Sequence, residues 1–146
     1  MCNQTCGAVA LAGRVAICAI FLTSALANKI PHFSQVVEVM RAKAIPFPRL
    51  ALIVAIAILL LGSVSVIVGF KARWGAFLLL AFLFAATFYF HDFWNIEGEG
   101  ARVQQIMFMK NVSIAGTMLL IIAAGAGPWS LDACRVSDKA CDTVAG

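Results

Sequence analysis

Long apolar runs separated by short polar breaks dominate the chain. The first covers about Gly7–Ala27 and is interrupted only by Arg14, and the second, Leu50–Phe70, carries no charge. The third, Trp74–Phe90, extends through Phe93 to Trp94, and the fourth, Ile106–Ala126, has Lys110 near its start. Each approaches the ~20 residues that cross a bilayer's hydrocarbon core. None alternates with the period of two that barrel strands require. Lipid leaves every backbone amide to be satisfied internally, so the pattern predicts four membrane-spanning helices.

The connections complete the outline. Between the first two spans, Phe33, Val36, Val37, Met40 and Ala44 fall on one helical face while Gln35, Glu38 and Arg41 fall elsewhere. That is the signature of a short amphipathic helix in the headgroup layer, opened by Pro31 and stopped by Pro46-Phe47-Pro48. Its apolar face serves either as a cap on the bundle or as a surface for a substrate. The tight Lys71-Ala72-Arg73 turn makes spans two and three antiparallel neighbours. A polar loop, residues 91–105, joins spans three and four, and Gly125-Ala126-Gly127-Pro128 ends the last helix. Ala8, Ala12 and Ala16 recur every fourth residue, either as a close-packing stripe or as the chance product of an alanine-rich helix.

The predicted fold is an all-α integral membrane protein. It is a four-transmembrane-helix antiparallel bundle with a short interfacial helix between spans one and two. Residues 1–146 form one domain, with spans near 7–27, 50–70, 74–94 and 106–126 and a polar tail over 127–146. Both termini then share a face with the Lys71–Arg73 turn (the terminal side), and the longer connections occupy the other (the loop side). Lys and Arg divide almost evenly between the faces. The basic residues abutting two helix ends at Lys71 and Arg73 incline the termini towards the cytoplasm. Ala25-Leu26-Ala27 has the form of a signal-peptidase site. A leader without positive charge and an apolar core broken by Arg14 argue that the first span is retained.

Composition agrees with the pattern. Hydrophobic residues make up 62% and charged residues 12%, against about 45–50% and about 25% in soluble domains. The net charge of +4 suits anionic lipid headgroups. With no interleaved basic and aromatic motif, a nucleic-acid partner is not expected; the bilayer is.

Candidate chemistry gathers on the loop side. His91 and Asp92 end the third span, and Lys110 lies about one turn, ~6 Å, into the fourth. Ionisable groups at membrane depth are functional candidates by default. Asp92 is placed to neutralise Lys110, while the His91 imidazole suits proton relay or a bond to a carbonyl. Asn111 and Gln104 or Gln105 add neutral donors, and Phe88, Phe90, Phe93 and Trp94 add flat walls. Such a pocket suits a planar redox molecule such as a quinone. The same residues also make an interfacial belt in which Lys110 snorkels to water. Arg14, ~10 Å inside the terminal side, cannot discharge itself. Its expected partner is Asp132, in a structural ion pair.

Of the five cysteines, Cys18 reads as a small core residue. Cys2, Cys6, Cys134 and Cys141 fall on the terminal side, as disulfides in an oxidising compartment or thiols in a reducing one. No Cys-x-x-Cys spacing marks zinc, so no metal site is expected. No nucleophile–base pair, phosphate loop or dinucleotide fingerprint occurs, so no intrinsic cofactor is expected and catalysis is left open.

The order of short motifs resembles the DoxX family of small membrane proteins. The resemblance runs through Arg14, Ile20-Phe21-Leu22-Thr23-Ser24, Lys29-Ile30, Met40 and Ile45-Pro46. It continues in Gly69, Arg73-Trp74-Gly75-Ala76, Phe90-His91-Asp92-Phe93-Trp94, Lys110-Asn111, Gly116, Gly125 and Ser130-Leu131-Asp132, so it covers about residues 12–132. It implies a multi-pass protein of a bacterial inner (plasma) membrane and a four-helix bundle. It also implies an oxidoreductase component, acting as the accessory subunit of a quinone-linked redox complex with a partner protein or as a homo-oligomer. Distant relatives imply the alternative, a non-catalytic scaffold, chaperone or cargo receptor. Many members carry a glutamate midway along the second span; this chain has Ile58-Leu59-Leu60-Leu61-Gly62 there, so Arg14 must find its partner elsewhere.

Overall fold

The computed structural model describes residues 2–90 and 98–134. Helix α1 (Cys2–Thr23) continues into a π-helical segment, Ser24–Lys29. It is followed by α2 (Phe33–Ala42), α3 (Pro48–Val68), α4 (Ala72–Phe90) and α5 (Glu99–Ala124). Among the described residues there is no strand. Among the described residues, four helices are long and apolar enough to cross a membrane, over Thr5–Lys29, Pro48–Val68, Ala72–Phe90 and Gly100–Ala124. The protein is an all-α integral membrane bundle with α2 as the short additional helix.

Local chemistry sets the ends. Pro48 occupies the first turn of α3, where its missing N–H would have had no helical partner. Gly69 closes α3 at φ 71°, the left-handed conformation that glycine adopts without a Cβ penalty. α5 starts about two turns before the apolar run at Ile106. Residues such as Arg102, Gln104 and Gln105 are good helix formers that extend the helix without extending its apolar pattern. The 91–94 extension expected of the third span lies outside the described residues.

α3 packs against α1, α2 and α4, and α4 packs in turn against α5. The common core contains Cys18 and Phe21 of α1, Leu59 and Val66 of α3, Ala76 and Leu79 of α4, and Met118 of α5. Gly7, Arg14, Cys18 and Phe21 form the buried face of α1, continued by Ala25 in the π-helical segment, whereas Ala8, Ala12 and Ala16 are exposed. The alanine stripe therefore faces outward, and close approach occurs elsewhere. A Cβ on Gly75 would lie 2.6 Å from the Ser65 hydroxyl and 2.9 Å from the Gly62 carbonyl. Two glycines thus bring α3 and α4 nearly backbone to backbone, as small residues do between membrane helices.

The terminal end is held by two charges. Arg14 is only 4% exposed. Its Nη1 donates to the carbonyls of Ile67 at 3.0 Å and Val66 at 3.5 Å, and its Nη2 donates to Trp129 O at 2.6 Å. The first two carbonyls lie in the last turn of α3, where a helix leaves acceptors unpaired. Asp132 accepts the Lys71 amide at 2.9 Å and the Ala72 amide at 3.0 Å, capping the start of α4. The Asp132 amide donates to Gly69 O at 2.8 Å. The direct Arg14–Asp132 ion pair expected from the sequence is replaced by a shared corner. The cation satisfies the negative end of one helix and the carboxylate the positive end of the next.

Two outcomes follow for stability in detergent. Gly75→Ala should lower the unfolding midpoint at a cost of about 1–3 kcal/mol, because α3 and α4 must separate to admit the methyl group. Gly116→Ala meets open space and should be neutral or slightly stabilising; equal effects of the two would refute this packing. Arg14→Lys should cost about 2–3 kcal/mol, since an ammonium cannot span carbonyls on two segments. An unchanged midpoint for that variant would show that the corner contributes no stability.

Candidate functional site

At the loop side the bundle is hollow. The hollow begins with the π-helical turn, in which the Ile30 amide bonds to Ala25 O, five residues back, at 3.0 Å. In that register residue 29 stacks over residue 24, and Lys29 Nζ donates to the Ser24 hydroxyl at 2.6 Å. The same ammonium lies 5.4 Å from the centre of the Phe82 ring on α4. A half-buried lysine is thereby held against an aromatic face at the junction of two helices. Insertions of this type occur frequently at functional sites.

Across from it, Asn111 of α5 is 8% exposed and its Nδ2 donates to Thr87 Oγ1 of α4 at 2.9 Å. This bond sets Lys110 level with the last turn of α4. Lys110 is exposed, with Nζ 3.3 Å from Met107 Sδ. Lys29, Ser24, Lys110 and Asn111 form the polar wall of a cavity of about 220 Å³. Phe21, Phe82 and Phe90 are among its apolar walls, and no carboxylate lines it among the described residues.

A second, larger hollow of about 730 Å³ lies between α2, α3 and α4. It is almost wholly apolar, with Met40 of α2, Leu52 of α3 and Tyr89 of α4 in its lining and His32 at its polar edge. Its α2 wall exists because Val37 and Met40 bury themselves against Leu52, which is the expected amphipathic packing. Lys29, Phe82, Ala86 and Phe90 line both hollows.

The structure thus brings Lys110 and Asn111 together at one cavity. His91, Asp92 and Trp94 lie outside the described residues; Phe90, which precedes them, is a shared wall. Arg14 and Asp132 belong to the opposite end. Cys6 and Cys134 are exposed free thiols and Cys18 is buried in the core; Cys141 and the Cys2 side chain lie outside the description. Among the described residues no three His, Cys, Asp or Glu side chains group as metal ligands. Sequence reasoning missed Lys29 and Ser24, which read as the ordinary polar end of a span. A charge five residues after a hydroxyl is a signal only once the helix is known to widen there.

The sequence profile of the DoxX family matches residues 9–92. Inner membrane protein YphA of Escherichia coli strain K12 is 32% identical over 122 residues, 84% of this chain and 86% of that protein. Inner membrane protein YqjF of the same strain is 30% identical over 122 residues, 84% of this chain and 88% of that protein. No solved structure matches the chain. Four helices long enough to cross a membrane, a profile match across more than half the chain and likeness over 84% of it to two inner membrane proteins converge: the chain belongs to the DoxX family.

Proposed function

We propose that this protein is a membrane-embedded accessory subunit of a redox complex, and that its loop-side cavity receives the headgroup of a quinone. The observation that carries this reading is the composition of the cavity. Two ammonium groups and an amide face flat aromatic walls at the level of the last turn of α4, where lipid-soluble carriers reside. Lys29 and Lys110 are the donors for the quinone oxygens, and Phe21, Phe82 and Phe90 are the faces against its ring. Asn111 keeps α4 and α5 in register around the ring. His91 and Asp92, next along the chain from Phe90, are the candidates to move the protons that accompany quinone reduction. The electrons come from a partner protein, because the chain's own contribution is binding, orientation and proton donors.

Binding of a short-chain quinone to the detergent-purified protein, measured by equilibrium dialysis, tests this assignment. Lys29→Ala and Lys110→Ala should each weaken it by about tenfold, the worth of a hydrogen bond from a charged donor. Lys71→Ala, at the opposite end of the bundle, should leave it unchanged. Equal binding by all variants would reject the site. A protein that binds no quinone would favour the scaffold or chaperone reading.

A further inference from the structure

The 730 Å³ hollow is larger than a headgroup cavity needs, and it lies beside that cavity, with four lining residues in common. We propose that it is the seat of the quinone's isoprenoid tail, so that the carrier enters sideways from the bilayer between α2 and α4. This rests on the quinone reading and adds to it the class of carrier accepted, a long-tailed one, and the residues that select for it.

Three features point to a flexible chain as occupant. Small residues form the groove: Ala51 and Ala55 on α3, Ala81 and Ala85 on α4. Each pair is four residues apart and so lies on one helical face. α2 closes the groove with Val36 and Met40, branched or flexible apolar side chains that adapt to a chain. The rim is open and apolar, with Val39 and Val54 about half exposed. From Pro48 at the start of α3 to Ile58 in the groove wall is about 15 Å, half of a ~30 Å hydrocarbon core. The groove therefore holds the part of the tail next to the ring, and the remainder passes into lipid. At the junction, Lys29 sits between ring and tail, fixed by Ser24 and Phe82. Its position explains the π-helical turn: a regular α-helix would carry residue 29 round to a different face.

Two measurements on the full-length protein in detergent test the proposal. The first compares a tailless quinone with one bearing several isoprene units. The tailed form should bind about tenfold more tightly, through added apolar contact. Ala55→Trp and Ala85→Trp, which fill facing walls, should abolish that advantage while leaving the tailless form unaffected. The second uses a tailed quinone with a photoreactive diazirine on the isoprene next to the ring, followed by peptide mapping. Labels should fall on Val36–Met40 and Ala51–Ile58 and be competed away by unlabelled carrier. Tailless binding that persists with no tail advantage, or labels confined to other helix faces, overturns the tail groove and spares the headgroup site. Loss of binding of both forms by the unmodified protein overturns both.

Discussion

Within lipid a helix end has no water to satisfy its last backbone groups, and this constraint shapes the terminal half of the molecule. Where α3 stops and α4 starts, unpaired carbonyls and unpaired amides lie a few residues apart. Arg14 reaches across from α1 to supply donors to the first set, and Asp132 reaches in from beyond α5 to accept from the second. Neither charge neutralises the other directly. Each is balanced by oriented backbone dipoles, so a cation in a span that lacks an acidic residue is stable without an ion pair. Gly69 makes the geometry possible: its positive φ turns the chain, and a side chain there would meet the Arg14 guanidinium.

This corner accounts for the asymmetry of the bundle. At its end, Gly62 and Gly75 let α3 and α4 meet almost backbone to backbone, and Gly7 admits the ring of Trp129. Towards the other end alanine and phenylalanine are among the residues lining the hollows, and α2 packs against α3. A bundle pinned tightly at one end tolerates hollows at the other, because the helices are already fixed in register. There the Asn111–Thr87 bond both ties α5 to α4 and sets one wall of the smaller cavity.

The division of charges follows. Arg14 is fully engaged with backbone carbonyls and has no donor directed at the loop-side cavity. Among the described residues, Lys29 donates to the Ser24 hydroxyl and Lys110 to the Met107 thioether, and neither is held by a carboxylate there. A lysine ammonium carries three donors, and one neutral contact does not exhaust them.

Much of the architecture was legible in the chain. Four apolar runs near the bilayer length, a three-residue basic turn and a period-3.6 stripe from Phe33 to Met40 are local patterns. Hydrophobic length and periodicity alone dictate helices, neighbours and the interfacial segment from them. Lys110 and Asn111 were also visible, since polar groups inside an apolar run stand out. Three things required the tertiary structure. The partners of Arg14 and Asp132 are backbone groups, which every residue possesses and no sequence marks. The inner face of α1 carries Gly7, Arg14 and Cys18 rather than the regular alanine stripe, because neighbouring helices and not spacing choose the face. Lys29 joined the site through one widened helical turn, and a change of hydrogen-bond register leaves no trace in the order of side chains.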